Sequence, residues 1–411
     1  TIYMKKIILS LSIAAFMLGA CQKESEPEKK LPEGGGTQTN TTEQGTASGT
    51  LSVKPLTPIT VQPEVGGPNQ PNQVYIDLST GKTTAIKRDT WHLAFYCGDD
   101  DFRVLINPAI AMSALEQETT DINKRVEEDK TILLNTDPTN PSPNHLVSRR
   151  LIDDPRGYLA PRDNEPGSGT AIAGVSAKDE ENKVYLLSMG FAISDKTPVK
   201  GSVNILGAHK GWGKIRVLRE NGKYKVMFVP RTAATAPAAV KTFTVAKNAA
   251  YNFVYLNLES GQMVQVEPKK NDWDLCYTAA VAWITNKDYD ARSNVTLYPD
   301  LIINNIHGGT KVAHTKQFET TEKAYEAYQK IPLNIFWDTT VKGANFDANS
   351  YNRLGLGKSW RDLPNGGTIR PYWYVVRDGE GNHFKLIVRA MKNDAGERGY
   401  PTIEYQYVPK Q

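Results

Sequence analysis

Apolar and polar residues alternate in many short stretches of this chain, and turn residues separate those stretches. Residues 74–82, for example, read Val-Tyr-Ile-Asp-Leu-Ser-Thr-Gly-Lys, with a glycine where a tight turn is expected. A period of two places successive side chains on opposite faces of a strand. Many short strands joined by turns predict an all-β chain built from sandwich-type domains.

The pattern occurs twice. Residues 254–262 read Val-Tyr-Leu-Asn-Leu-Glu-Ser-Gly-Gln, and each copy of the motif leads to a strand that begins at a tryptophan, Trp91 or Trp273. The matched segments lie about 180 residues apart, which is too long a period for a solenoid. The sequence therefore predicts two tandem copies of one β-domain.

Turn and helix signals complete the predicted elements. Asn221-Gly222 between two alternating runs predicts a β-hairpin, and residues 374–387 form its counterpart in the second copy. Residues 320–330 are the best helix candidate, with Thr321 as its cap, and residues 109–115 predict one or two further helical turns.

The N-terminal segment has the features of a bacterial lipoprotein signal. Lys5 and Lys6 precede an apolar run over residues 7–18, which is too short to span a bilayer. It ends in Leu-Gly-Ala-Cys, which resembles a lipobox. We expect a signal peptide at residues 1–21, with Cys21 lipidated as the mature N-terminus. Residues 22–60 are charged, then rich in Gly, Thr and Gln, and predict a disordered tether.

The remaining chain divides into two expected domains. An Ala/Pro-rich stretch at residues 230–239 favours a boundary between residues 61–235 and residues 236–411. Residues 242–245 then predict the first strand of the second copy. Each copy is large enough to hold its own hydrophobic core.

Charge and motif content exclude several functions. The chain has 49 basic and 45 acidic residues, a net charge of +4, which gives no case for nucleic-acid binding. Hydrolase, zinc-protease and nucleotide-binding motifs are missing, so we expect a binding protein and not an enzyme. Cys97 and Cys276 are expected to be buried free thiols.

The candidate chemistry rests on two histidines. His307 and His314 flank Gly308-Gly309, so a loop could bring them together as axial ligands of a haem iron. The alternative is two histidines in surface loops. No cluster has the spacing of a zinc or calcium site, so no other metal is expected. Asp99 to Asp101 and Asp153-Asp154 are expected in solvated turns, and His383 at an exposed turn.

The repeat anatomy and the lipobox together resemble the HmuY family of haem-binding lipoproteins from Bacteroidetes. The resemblance is clearest in the second copy, at residues 242–245, 253–256, 272–275, 374–382 and 393–401, and it covers roughly residues 60–411. It implies two HmuY-like β-domains that bind haem or a porphyrin for iron acquisition. It also implies a lipid-anchored protein of the outer membrane, exposed at the cell surface, which passes haem to a TonB-dependent receptor.

One departure from the family pattern bears on the ligands. The family's second axial histidine follows a tryptophan in a glycine-rich loop, and the comparable residues 357–367 contain neither histidine nor methionine. The alternative function is a surface adhesion or glycan-binding module on the same fold. Its candidate aromatic contacts are Trp212, Trp283, Trp337, Trp360 and Trp373.

Overall fold

The structure, a computed structural model, describes residues 56–134, 147–231, 239–283, 292–293, 295–315, 317–330, 352–363 and 367–409. Within these ranges no helix is both long and apolar enough to cross a membrane. Cys21 and the tether up to residue 55 lie outside the described residues, as does Trp337.

Strands make up most of the regular structure in the described ranges. The earlier strands are β1 (Ile59–Val61), β2 (Asn72–Ile76), β3 (Thr83–Lys87), β4 (Leu93–Tyr96), β5 (Val104–Ile106), β6 (Ser113–Glu116), β7 (Val147–Ser148), β8 (Tyr185–Ser188), β9 (Trp212–Glu220) and β10 (Lys223–Arg231). The later strands are β11 (Lys241–Val245), β12 (Phe253–Asn257), β13 (Gln262–Val264), β14 (Leu275–Trp283), β15 (Arg292–Ser293), β16 (Val295–Asn304), β17 (Lys311–His314), β18 (Arg361–Asp362), β19 (Thr368–Ile369), β20 (Tyr374–Arg377), β21 (His383–Lys392) and β22 (Arg398–Val408). One α-helix, α1 (Thr321–Lys330), accompanies them.

The strands form antiparallel sheets that occur in matched pairs. Two five-stranded sheets have the orders β11-β10-β9-β8-β6 and β1-β22-β21-β20-β17. Two four-stranded sheets have the orders β13-β12-β4-β5 and β16-β14-β2-β3, and β7 with β15 and β18 with β19 form small two-stranded sheets. The predicted all-β class and the duplication are both confirmed.

The predicted hairpins are present. β9 and β10 are joined by Asn221 and Gly222, whose φ angles of 52° and 73° are both in the left-handed region. Positive φ at both central residues matches the right-handed twist of the flanking strands. In the second copy β20 and β21 form the counterpart, and the Asp378 side chain accepts hydrogen bonds from two amides of the turn, Glu380 N (2.9 Å) and Asn382 N (2.7 Å).

The helix predictions need correction. α1 is present, but its cap is Thr320, whose Oγ1 accepts a hydrogen bond from the amide of Lys323 (3.2 Å), and not Thr321. Of the one or two helical turns predicted for residues 109–115, one is present. A single 3-10 turn at Pro108–Ile110 ends at Ala111, which has a positive φ of 57°, and β6 follows. The left-handed residue stops the helix because its backbone turns away from the helical path.

The two copies exchange strands. β2 and β12 carry the repeated Val-Tyr motif, while β4 and β14 follow the repeated tryptophans. β2 pairs with β14 of the second copy, and β12 pairs with β4 of the first. The outer strands cross in the same way, because β1 pairs with β22 and β11 pairs with β10. Each large sheet therefore contains strands from both copies in equivalent positions.

The hydrophobic cores follow this exchange. One core cluster draws all its buried residues from Leu93 to Leu258. A second cluster combines residues from Val61 to Leu78 with residues from Leu275 to Tyr405. The expected boundary between residues 235 and 236 stays a prediction. In this arrangement it would separate β11 from β10, the strand with which β11 pairs.

Candidate functional site

A cavity of about 100 Å³ lies between the two four-stranded sheets. Its walls come from β2, β14 and β16 of one sheet and from β4, β5 and β12 of the other. Two loops complete it, one around Asp153 and Gly157 and the other around His307, together with Arg353. The strand exchange creates this site, because both copies contribute equivalent strands to it.

Two aromatic pairs, related by the repeat, line the cavity. Tyr75 packs against Trp273 with ring centroids 4.9 Å apart, and Tyr255 packs against Trp91 at 5.0 Å. Both pairs are edge-to-face, with interplanar angles of 81° and 79°. This geometry favours the positive edge of one ring against the negative face of the other. The repeated tyrosine and tryptophan thus build a rigid aromatic wall on each side.

The hydrogen bonds of the two tryptophans differ. Trp91 Nε1 donates to Gln73 Oε1 (3.4 Å), and Gln73 Nε2 donates to the hydroxyl of Tyr75 (2.8 Å). Trp273 Nε1 is buried and has no hydrogen-bond partner among the described residues. The reason lies in the sequence, since Phe253 occupies the position equivalent to Gln73 and offers no acceptor.

A buried glutamate lies beside the aromatic wall. Glu267 accepts hydrogen bonds from the amide of Phe253 at Oε1 (2.7 Å) and from the hydroxyl of Tyr255 at Oε2 (3.3 Å). Burial raises the pKa of Glu267 to about 8, although these hydrogen bonds oppose the shift. At neutral pH the carboxyl is therefore mostly protonated, because desolvation disfavours its charged form.

An arginine and an aspartate lie at another part of the lining. Asp153 accepts hydrogen bonds from the amides of Ile106 and Ala171, both 2.9 Å long, and burial raises its pKa to about 7. Arg353 Nε donates to the carbonyl oxygen of Pro155 (2.8 Å). Its terminal nitrogens donate to no described residue, and it forms no ion pair with a described carboxylate. Burial lowers the Arg353 pKa, but an arginine stays charged at neutral pH.

His307 lies in the cavity lining, as one of the two predicted haem ligands. Its ring packs against Tyr96 and Phe253, with centroid distances of 5.6 Å and 5.2 Å. Burial, with a smaller contribution from the nearby Arg353 charge, lowers the His307 pKa to about 4. The imidazole is therefore neutral at physiological pH, which is the form that binds metals.

His314 lies elsewhere, on β17, and does not line the cavity. Its side chain is exposed, and its ring lies 5.2 Å from that of Tyr372 and 6.3 Å from that of Tyr374. Nδ1 is 2.8 Å from the carbonyl oxygen of Thr315, so this nitrogen carries the proton and donates it. Nε2 is then the free acceptor of the ring.

Other predicted residues have mixed outcomes. Cys97 and Cys276 are buried free thiols, and Asp99 and Asp100 are exposed as predicted. Asp153 and Asp154 are buried, contrary to prediction, because backbone amides and Arg156 satisfy their carboxylates. His383 is also buried, because it starts the central strand β21 between β20 and β22. No group of three or more metal-binding side chains occurs in the described part of the chain.

Sequence reasoning singled out His307 as a candidate ligand, but it did not single out Arg353 or Glu267, or place Asp153 in a cavity lining. No local motif marks these three residues, and they reach the cavity through contacts between distant segments. The sequence signal that pointed to this cavity is the repeated tyrosine and tryptophan, because both Tyr–Trp pairs line it.

Two regions of the chain match one family model. The family described as HmuY protein matches residues 69–251 and again residues 248–405, together more than half of the chain. No curated protein matches this chain.

Three solved structures that are similar to this chain are proteins of Bacteroides and Tannerella species. A protein described as a lipoprotein from Bacteroides fragilis NCTC 9343 is 17% identical, with a TM-score of 0.19, and the match covers 38% of this chain and 85% of that one. A protein described as an HmuY-like haem-binding protein from Bacteroides vulgatus ATCC 8482 is 14% identical, with a TM-score of 0.20 and coverage of 38% and 86%. The apo form of an HmuY analogue from Tannerella forsythia is 16% identical, with a TM-score of 0.18 and coverage of 42% and 85%.

Proposed function

Because the chain belongs to the HmuY family, which its sequence matches twice, we propose that it binds haem or a related porphyrin for iron acquisition. The proposal includes a lipid anchor on Cys21, a position on the outer surface of the outer membrane, and transfer of haem to a TonB-dependent receptor. The lipobox at residues 18–21 supports the anchor. Binding is proposed and not catalysis, in keeping with a family of binding proteins.

The observation that carries the proposal is the state of His307. A haem iron needs an unprotonated imidazole nitrogen, and His307 is neutral at physiological pH with its ring held by Tyr96 and Phe253. The residue is partly exposed. The cavity, at about 100 Å³, is too small for a porphyrin, so haem would contact His307 from the solvent side.

His314 has complementary features. Donation from Nδ1 to the Thr315 carbonyl fixes the tautomer and leaves Nε2 for iron, as is common for histidines that bind metals. His307 lines the cavity, and His314 lies on β17 outside its lining, so their joint ligation of one iron stays a prediction.

The test is a haemin titration of the purified protein, followed through the Soret band. We expect His307→Ala to weaken binding and change the Soret spectrum, because it removes the neutral imidazole nearest the proposed site. His314→Ala separates the two ligation models. Loss of a low-spin spectrum in both single variants supports two histidines on one iron.

A matched control is Glu116→Ala, because Glu116 occupies the first-copy position equivalent to His314 and is also exposed. This variant should bind haemin as the parent does. Absence of any Soret shift in the parent protein would remove the haem proposal. An unchanged spectrum in the double histidine variant would assign the ligands to other residues.

The glycan-binding alternative gains no support from the described tryptophans. Trp212, Trp283, Trp360 and Trp373 are all buried, with at most 8% of their surface exposed. A sugar-binding aromatic must present a ring face to solvent. Trp337 lies outside the described residues and stays an untested candidate.

A further inference from the structure

The cavity between the exchanged sheets holds a positive charge that no described carboxylate pairs with. Arg353 lines it, its only described side-chain hydrogen bond is from Nε to the Pro155 carbonyl, and its terminal nitrogens are available. Asp153 and Asp154 lie close enough to raise the Arg353 pKa, but neither accepts a hydrogen bond from its guanidinium. The guanidinium therefore has donor capacity left for an added anion.

The nearby carboxyls compensate the Arg353 charge only in part. Glu267 lines the cavity but is mostly protonated at neutral pH, and its oxygens accept bonds from Phe253 and Tyr255. Asp153 also lines it, with both oxygens bonded to backbone amides and its pKa raised to about 7. Asp154 already pairs with Arg156.

The rest of the wall is apolar and aromatic. Tyr75, Trp91, Tyr255 and Trp273 form the two edge-to-face pairs, and Phe253 adds a further ring. Trp273 contributes in addition an indole N–H without a described partner. Such a lining accepts the flat or apolar body of a small molecule, while a charged group fixes its orientation.

We propose that this cavity is a binding site for a small organic carboxylate with an apolar body, whose carboxylate pairs with the Arg353 guanidinium. A guanidinium presents several N–H donors in a planar fork that matches a carboxylate in two hydrogen bonds. The apolar body lies against the aromatic pairs. This proposal does not depend on haem binding.

Size limits the ligand. An apolar cavity of about 150 Å³ binds benzene, and this cavity, at about 100 Å³, is of the same order. The ligand class is therefore a short aliphatic or single-ring carboxylic acid. Benzoate and butyrate are suitable probes, and benzamide is a neutral molecule of nearly the same shape as benzoate.

The titratable groups that line the site predict the direction of its pH dependence. As pH rises from 6 to 9, Asp153 and then Glu267 lose their protons and place negative charge near Arg353. Carboxylate affinity should fall over this range. His307 stays neutral, and Tyr75, Tyr255 and Cys276 keep their protons because burial raises the pKa of each.

The experiment measures binding of benzoate, butyrate and benzamide to the purified protein by calorimetry and by tryptophan fluorescence, since Trp91 and Trp273 line the cavity. Benzoate should bind roughly tenfold or more tightly than benzamide, the ratio expected for one charge-assisted hydrogen-bond pair. Its affinity should decline from pH 6 to pH 9. Equal binding of benzoate and benzamide, or saturable binding of neither carboxylate, would overturn the proposal.

Variants locate the site. Arg353→Gln should reduce benzoate affinity about tenfold or more, whereas Arg353→Lys should keep part of it and the exposed Arg125→Gln should keep all of it. If Arg353→Gln fails to fold, the benzamide comparison and the pH series on the parent protein still decide. Benzoate binding that Arg353→Gln leaves unchanged in a folded protein contradicts the assignment.

Discussion

The loops at residues 107–112 and 305–310 are the same structure in the two copies. Asn107 and Asn305 each donate from Nδ2 to the carbonyl of their copy's motif tryptophan, Trp91 or Trp273, and both hydrogen bonds are 2.9 Å. Five residues later an amide closes each loop onto the asparagine carbonyl, Met112 N at 3.2 Å and Thr310 N at 2.8 Å. The backbone scaffold is thus repeated in detail.

The side chains on this scaffold differ. Two residues after the asparagine, the first copy has Ala109 and the second has His307. At the end of the following strand, Glu116 pairs in register with Tyr185, and His314 pairs in register with Tyr374. The duplicated fold therefore carries both candidate haem ligands in one copy only. Backbone hydrogen bonding preserves the loop, while the side chains it carries differ in chemistry.

The largest effect expected concerns the strand exchange that joins the copies. A fragment of residues 88–265 carries β4 to β13 and the whole core cluster between Leu93 and Leu258. A fragment of residues 60–235 lacks β11 and β12 and so loses part of that core. We expect the first fragment to unfold cooperatively on heating and the second to show no cooperative transition, as measured by circular dichroism. The opposite result would favour the boundary at residues 235 and 236.

A second prediction contrasts two buried arginine sites. Asp300 is buried and pairs with Arg361 (3.1 Å) and Arg398, whereas buried Arg88 donates only to backbone carbonyls. Asp300→Asn should destabilise the protein by about 3–5 kcal/mol, because it leaves buried guanidinium charge uncompensated. The exposed control Asp163→Asn should cost almost nothing. Chemical denaturation measures both, and equal stability of the two variants would refute the role of the pair.

A third prediction uses the residues after the repeated tryptophans. His92 Nδ1 accepts a hydrogen bond from Leu258 N (3.2 Å), and Asp274 Oδ2 accepts the equivalent bond from Leu78 N (2.8 Å). Burial, and secondly the Lys210 charge, lower the His92 pKa to about 3. The unfolded chain therefore takes up this proton near pH 6.5, and folded stability declines as pH falls below that value.

His92→Asn tests this coupling, because it keeps an acceptor for Leu258 N and removes the titrating group. Between pH 6.5 and pH 5 the parent should lose about 2 kcal/mol more stability than the variant. Other groups titrate identically in both proteins, so the difference isolates His92. Denaturation midpoints of the parent and the variant are measured at several pH values. Parallel curves of stability against pH for the two proteins would contradict the low pKa of His92.

The smallest effect expected concerns the difference between Gln73 and Phe253. Gln73→Leu should destabilise the protein by about 1 kcal/mol, since Trp91 Nε1 and the Tyr75 hydroxyl each lose a hydrogen-bond partner. Gln262→Leu, at an exposed site on β13, is the control. Urea denaturation checks both variants. If Gln73→Leu leaves stability unchanged, the hydrogen bond from Trp91 Nε1 contributes nothing, and Trp91 is equivalent to Trp273, whose Nε1 has no described partner.

Local pattern predicted much of the fold. The Asn221-Gly222 turn and the strands after Trp91 and Trp273 follow from residues that are adjacent in sequence. The strand exchange could not be predicted from the sequence. Alternation of apolar and polar residues assigns each side chain to a face of its strand, but it does not indicate which strand pairs with it. Asp153 and Asp154 likewise looked like solvated acids, since the amides and the arginine that bury them are set by tertiary contacts.

The candidate site was predictable only in part. His307 was singled out from its glycine-rich loop, and the structure places it in the cavity lining. Arg353 belongs to a segment remote in sequence from β2 and β12, so no local pattern links it to the residues it faces. The chemistry of the cavity became visible only when both copies were assembled around it.

Haem stoichiometry tests the comparison between the copies most directly. The purified protein is titrated with haemin, and the Soret absorbance is followed to saturation alongside the protein concentration. Because Ala109 and Glu116 replace His307 and His314 in the first copy, we predict saturation at one haem per chain. Two equivalent haems per chain, or no Soret change at all, would contradict the account.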